Sequence, residues 1–594
     1  MTADPRSAVF ALLDDCESTA ARRSTRLYTG FAHERSCTDG AALATVCAQV
    51  EDDLRGGLHA VVVADYEFGR NLQLAQPGDA ALRFLLFRDC APLSRDEADA
   101  WLASQDGGAA TPSAAGVAGM EASVTRGEFD AAIAAVHEAL RAGDTYQVNY
   151  TYRLAFDVFG TPLALYRRLR ARQPVRYGAF IALPEGRAVL SCSPELFIEK
   201  AGDLLRARPM KGTAPRDTDP QALHDDPKNR AENVMIVDLL RNDMSRVAAT
   251  GSVRVPALFS VEPYASVWQM TSTVEARVRP GTSFADILRA LFPCGSITGA
   301  PKYRTMQLID AIESTPRGIY TGAIGWLNRN ADFCLSVAIR TLVVGDGRGT
   351  MGIGAGIVLD SVAADEYAEC LLKARFLTGA DPGFELFETA YATRDAGVRH
   401  FGRHLARLAG SARYLGFSLD EAQLKALVGE RCMSFDAGKP YRLRIALDKA
   451  GQITLSSAPL APLAADTVDV LLAPDHGFAP QASGDPLLRH KTTRREDFDR
   501  AWREAEAQGA FDMLFFNERA ELTEGGRSTV FVKLDGRWWT PPIEAGVLPG
   551  VMRGVLIDEL GAAVRTITRE ELERAEALMV SNALRGGVGA RLRT

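Results

Sequence analysis

Apolar residues cluster along the chain at two spacings. GAFIAL (178–183), AVLSCS (188–193) and CLSVAIRTLVV (334–344) are short and β-rich and read as strands. FDAAIAAVHEALRAG (129–143), RAENVMIVDLLRND (230–243) and DEYAECLLKARFL (365–377) repeat apolar residues at helical spacing. The C-terminal third mixes the same two patterns. YRLRIAL (441–447), DMLFFN (512–517) and TVFVKL (529–534) read as strands, RHLARLAGSARYL (403–415) and DFDRAWREAEAQ (497–508) as helices. The predicted fold class is therefore mixed α/β throughout, with no internal repeat joining the parts.

At 594 residues the chain is too long for one core. Gly379, Pro382 and Gly383 punctuate LTGADPGFELFETA, so the expected domains are 1–380 and 381–594. SQDGGAATPSAAGVAG (104–119) reads as an exposed loop or linker. The composition is that of an ordinary globular protein, and a net charge of −7 with scattered Lys and Arg gives no footprint for nucleic acid. Nine cysteines without a C-x-x-C pair suit neither a disulfide framework nor a zinc site, which points to reduced thiols in a cytoplasm. MTADPRSAVFALLDD lacks the form of a signal peptide, and no run approaches the roughly 18 apolar residues of a membrane span.

Several groups carry candidate chemistry. Glu366, Glu369 and Lys373 fall at i, i+3 and i+7 of one predicted helix and share roughly one face. With Glu232 they offer the carboxylate oxygens that magnesium prefers; alone, the same spacing also describes a solvated helix face. PMKGTAPR, CGSITGAPK and GIGAGIV are glycine-rich runs whose backbone N–H groups can receive carboxylate oxygens, though each alone is more often a turn.

In order, SPELF (193–197), PMKGTAPR (209–216), AENVMIVDLLRND (231–243), GSITGAPK (295–302), YTGAIGW (320–326), AIRT (338–341), GAGIV (354–358) and DEYAECLLKA (365–374) resemble the chorismate-utilising enzymes over residues 8 to 378. The resemblance implies an α/β sandwich around a chorismate site, with Mg2+ held by Glu232 and Glu369 and Glu366 close by. It also implies that Tyr320 and Arg340 grip the enolpyruvyl carboxylate, Gly212, Thr213, Gly354, Ala355 and Gly356 add backbone donors, and Lys373 balances charge.

Lys211 selects a branch, because anthranilate synthases carry a small residue there; a lysine is similar to aminodeoxychorismate synthase component I. That branch implies attack of the Lys211 amine on C2 of chorismate while Glu195 protonates the departing C4 hydroxyl, after which ammonia enters at C4 and expels the lysine. Attack needs a neutral amine, a form that desolvation favours. Trp268 and Gln269 stand where many relatives have a histidine. No glutaminase nucleophile elbow is visible, and Cys294 sits inside the chorismate motif, so a separate glutamine amidotransferase subunit supplying ammonia is implied.

LLRHKTTRREDF (487–498), ELTEGGRSTVFV (521–532), AGVLPGVMRGVL (545–556) and VSNALRGGVG (580–589), with HLARLAGSARYLGF (404–417), resemble the fold-type IV (D-amino acid aminotransferase-like) enzymes that use pyridoxal 5'-phosphate. The resemblance implies Lys491 as the cofactor-bearing lysine and catalytic base, and Glu524 on the pyridine nitrogen. Arg407 and the segments at Leu548, Gly550, Ser581 and Asn582 would hold the phosphate, Arg444 would bind a substrate carboxylate, and Thr529 replaces a frequent Asn. Fusion to an aminodeoxychorismate producer favours an aminodeoxychorismate lyase over a transaminase, and family habit implies a homodimer through this domain. The rival readings are anthranilate synthase component I joined to a class IV aminotransferase, or a regulatory scaffold whose sites have decayed. Channelling of the intermediate, feedback ligands and dependence on the amidotransferase stay open.

Overall fold

The computed structural model describes residues 9–263 and 267–593. The first eight residues of MTADPRSAVFALLDD and Tyr264, Ala265 and Ser266 of the YASVWQ run lie outside them. Two compact units emerge, Met1–Ala380 and Asp381–Thr594.

Among the described residues of the first unit eighteen strands form one hydrogen-bonded set, flanked by helices. Side chains alternate across a strand, and here both faces are covered. On the strand His59–Ala64, Val62 joins one core while Val61 and Val63 join another; on Leu82–Leu93, Leu86 faces the first and Leu85 and Phe87 the second. Burial on two sides explains why these strands read as continuous apolar runs.

The expected helices form at Arg126–Arg141, Pro227–Ser245 and Ala363–Thr378. Thr125 and Glu128 close a capping box at the first, and Asp226 caps the second, supplying acceptors for N–H groups the helix cannot pair. CLSVAIRTLVV is not one strand. It splits into Phe333–Val337 and Thr341–Gly345, because Arg340 takes a left-handed backbone (φ 51°) that no pleated ladder accommodates. The stretch 104–119 also departs from a free linker. Asp106 is buried against Arg167, whose guanidinium also donates to the carbonyls of Ala109 and Ala110, and residues from Gly116 onward form a strand with Val117 and Ala118 buried. Residues 107–111 stay exposed, so the first part of the stretch is a surface loop, tethered by arginine, that leads into a strand.

The second unit pairs a four-stranded antiparallel sheet containing Leu386–Thr393 and Tyr441–Leu447 with a mixed eight-stranded sheet containing Asp512–Phe516, Leu522–Gly525, Thr529–Leu534 and Ala577–Asn582. The helices Phe401–Leu415 and Glu496–Ala507 form where the pattern placed them. All nine cysteines are free. Among the described residues no helix is long and apolar enough to cross a membrane.

Candidate active sites

In the first unit the strand Arg348–Ile357 runs antiparallel to Gln147–Phe159, setting Gly354 opposite Thr151 and Gly356 opposite Asn149. A Cβ on Gly356 would stand 3.0 Å from Lys211 Nζ, so the glycine-rich strand and the PMKGT lysine meet at this point. Lys211 Nζ lies 3.8 Å from Glu232. Glu195 is buried, accepts from Ser296 Oγ at 2.7 Å, and is pushed up to about 7 by burial, with Ser296 and Lys211 pulling the other way. SPELF, PMKGT, AENVM and GSITG, far apart in sequence, thus converge. Lys211 is not in a dry apolar pocket, as amine chemistry first suggests; it faces carboxylates.

Lys373 donates to Gly354 O at 2.9 Å and pairs with Glu369 at 2.7 Å. Burial raises Glu369, but Lys373, Lys211 and Lys228 prevail and hold it below the usual range. Glu366, bonded to Ser361 Oγ, is raised by burial and by Glu369. Two carboxylates around Lys211, Glu232 and Glu369, are the oxygen donors that magnesium takes alongside waters. Among the described residues no three acidic, His or Cys side chains converge as a ready-made cage, so the donor chemistry fits a water-rich site only.

Tyr320 packs its ring over Gly352, where a Cβ would come within 2.0 Å. Thr321 N–H donates to Ala338 O, keeping this turn beside the segment that ends at Arg340, whose own carbonyl accepts from Cys192 N–H. Gln269 fills the departure from histidine: it donates to Gly212 O at 2.8 Å and accepts from Thr213 Oγ1 at 2.9 Å, bracing the loop that carries Lys211. Trp268 donates to Thr218 O. The Cys294 thiol is fully buried and pushed up to about 12, which disqualifies it as a glutaminase nucleophile.

In the second unit a cavity of about 310 Å³ is lined by Lys491, Glu524, Arg407, Arg444, Phe387 and Ser581, among others. Burial, then Arg495 and Arg407, lower Lys491 to about 7; its Nζ sits 4.6 Å from the centre of the Phe387 ring. Burial raises Glu524 to about 7, and one of its oxygens accepts from Leu548 N–H at 3.1 Å. No lysine or arginine forms an ion pair with Glu524 among the described residues, leaving it free for a protonated ring nitrogen. The helix Val551–Leu560 opens on this cavity with Gly550 as an N-cap that offers no side chain, so its first N–H groups suit a phosphate. Ser581 Oγ is buried without a partner among the described residues, and a Cβ on Gly550 would stand 2.9 Å from Thr529 Oγ1. These groups fit pyridoxal phosphate.

Arg407 and Asn582 have side chains that are otherwise engaged, which at Asn582 leaves only the expected backbone contact to a phosphate. Asn582 spends its side chain on the backbone: Oδ1 accepts from Leu584 and Arg585, and Nδ2 donates to Arg527 O. Arg407 reaches the cavity, but Glu388 grips it through Nε at 2.8 Å and Nη2 at 2.5 Å, while His404 Nδ1 lies 2.7 Å from the same carboxylate. Burial raises Glu388, yet Arg407 and His404 overcome it and hold the carboxyl at about 2. Nothing in FETA announced Glu388, because its partners come from another element. Ser296 and the aromatic platform of Phe387 were missed for the same reason.

Comparison with known proteins assigns each unit to a family. Residues 11–379 match the chorismate binding enzymes and residues 385–592 the class IV amino-transferases. Anthranilate synthase component 1 of Streptomyces coelicolor is 40% identical over 295 residues, covering 48% of this chain and 58% of that protein. Aminodeoxychorismate synthase component 1 of Klebsiella aerogenes is 45% identical over 259 residues, covering 42% and 57%. The chain thus spans less than two thirds of the length of either relative. A Bacillus anthracis structure described as a 2,3-dihydroxybenzoate-specific isochorismate synthase aligns with a TM-score of 0.51 at 20% identity, covering 64% of this chain and 97% of that one, a likeness of fold. The chain belongs to the chorismate binding enzymes and carries a class IV amino-transferase domain behind that fold.

Proposed function

We propose that this protein makes p-aminobenzoate from chorismate, aminating it to 4-amino-4-deoxychorismate in the first domain and eliminating pyruvate in the second. The observation that carries the reading is Lys211 at the meeting point of Glu195, Glu232 and the GAGIV strand. In this scheme Lys211 first passes its ammonium proton to the paired Glu232, and the neutral amine then bonds to C2 of chorismate as the C4–O bond breaks. Glu195, held near pH 7, gives its proton to the departing hydroxyl, which leaves as water. Ammonia then bonds at C4 and the C2–N bond to Lys211 breaks, returning the lysine. A separate glutamine amidotransferase is the proposed ammonia source. Magnesium, bound by Glu232 and Glu369, would neutralise a chorismate carboxylate.

In the second domain pyridoxal phosphate supplies an electron sink. Glu524 would hold the ring nitrogen's proton, while Ser581 Oγ and the helix at Gly550 would hold the phosphate, with Arg407 kept at the cavity wall by Glu388. Lys491 removes the proton at C4 of the substrate ring, and the enolpyruvyl C–O bond breaks with aromatisation. The released enol becomes pyruvate when it takes up a proton at its methylene carbon. A lysine lowered to about 7 is about half free base at neutral pH, which supplies the base this task requires. Arg444, stacked 4.1 Å over Phe387 and lining the cavity, offers a substrate carboxylate a partner. By analogy with class IV enzymes the domain pairs with a second copy.

The similarity to an anthranilate synthase component supports a second reading, anthranilate formation beside an aminotransferase. Product analysis with chorismate, ammonium, magnesium and pyridoxal phosphate separates them. p-Aminobenzoate and pyruvate from the wild type, with aminodeoxychorismate accumulating in Lys491→Ala, supports the main reading; anthranilate overturns it.

A further inference from the structure

Gln147 opens the strand Gln147–Phe159 at the centre of the first site, and its side chain is fully buried. Its backbone carbonyl is employed. The carbonyl accepts from Thr145 Oγ1 at 2.9 Å, and the strand pairs Gln147 with Ala300 of the GSITGA segment, so close that a Cβ on Gly299 would lie 1.9 Å from Gln147 O. The side-chain amide is the opposite case: neither Oε1 nor Nε2 has a hydrogen-bond partner among the described residues. A buried amide with an unpaired donor and an unpaired acceptor is costly, and such a group persists when a ligand completes it.

Its direction identifies the ligand. A Cβ on Gly356 would stand 2.7 Å from Gln147 Nε2 and 3.0 Å from Lys211 Nζ, so amide and amine border one small space that only glycine leaves open. Resting on the reading that Lys211 attacks C2 of chorismate, the neighbouring ring carbon carries the carboxylate, and that group must come to this space.

We propose that Gln147 is a substrate-binding and positioning residue, whose Nε2–H donates to the ring carboxylate of chorismate while Oε1 accepts from Lys211 and aims its amine at C2. Donor and acceptor are then both satisfied, and substrate binding completes a network that folding leaves unfinished.

The test uses the full-length protein with Gln147→Leu and Gln147→Met, which keep volume and remove both polar atoms, and Gln147→Glu, which replaces the donor by a charge. Chorismate binding is followed by calorimetry and thermal unfolding by scanning calorimetry. Loss of a hydrogen bond to a charged group corresponds to Kd rising about 10- to 100-fold in Leu and Met, and further in Glu through repulsion. Tm should hold or rise, because the apolar variants remove an unpaired buried amide. Unchanged binding in Leu and Met overturns the inference. So does a Tm that falls in parallel with binding, or failure of both apolar variants to fold, since either marks a structural amide. Wild-type protein that does not bind chorismate overturns the parent reading along with this one, whereas wild-type binding with unaffected variants sinks this inference alone.

Discussion

The two sites treat their reactive lysines in opposite ways. Around Lys211 opposite charges are paired within the protein: Lys211 with Glu232, and Lys373 with Glu369, whose carboxylate Lys211 also helps hold ionised. Around Lys491 the two groups that matter are kept apart from counter-ions. Lys491 is depressed by burial and neighbouring arginines, and Glu524 is raised by burial with one backbone N–H for company. A site that receives a soluble dianion can exchange its own ion pairs for new ones, at little desolvation cost. A site built for a resident cofactor can leave its lysine and glutamate unmatched, because the cofactor supplies both partners.

If this contrast is functional, the domains fail separately. Lys491→Ala should reduce p-aminobenzoate formation by at least about 10³-fold, combining loss of the base and of the cofactor anchor, with chorismate consumption unchanged; product ratios by mass spectrometry check this, and parallel loss of both steps would break the separation. Glu195→Gln should slow chorismate consumption about 10²- to 10⁴-fold and leave conversion of supplied aminodeoxychorismate intact. The pH profiles should run oppositely. Glu195 acts protonated, so the first step should decline as pH rises through about 7. Lys491 acts as free base, so in cofactor-free protein its reaction with added pyridoxal phosphate, followed by absorbance, should accelerate over the same range.

Glu388 sharpens the contrast, being the second domain's own buried ion pair. Glu388→Ala strands Arg407 and His404 and should cost about 3 kcal/mol or more, read as a lower Tm for the C-terminal transition. With its folded value depressed to about 2, Glu388 contributes stability above the ordinary carboxylate range that is lost as pH falls towards 2. Gln269→Ala is the mildest case. Losing its bonds to Gly212 and Thr213 should cost about 1 kcal/mol and loosen the Lys211 loop, seen as a severalfold rise in KM for chorismate.

Much of this was legible beforehand because it depends on local pattern. The helices at Arg126–Arg141 and Ala363–Thr378 and the strands at Tyr441–Leu447 and Thr529–Leu534 follow from apolar periodicity and caps, and motif order sufficed to name Glu195, Lys211, Lys491 and Glu524. What failed was contextual. CLSVAIRTLVV reads as one strand because nothing in its composition shows the left-handed turn at Arg340, and the end of 104–119 reads as loop although Gly116 onward joins a strand, because its pairing partner lies elsewhere in the chain.

By itself, then, the sequence determined element type, the family of each half and the identity of the reactive groups, since these reside in short contiguous patterns. Only the tertiary structure decided their chemical state. It placed Glu195 against Ser296, left Gln147 with an unpaired amide beside Lys211, and gave Arg407 to Glu388 while keeping ion-pair partners from Glu524. Protonation and hydrogen bonding depend on what lies within a few ångströms, and in this fold those neighbours come from segments as distant along the chain as Gln147 and Gly356.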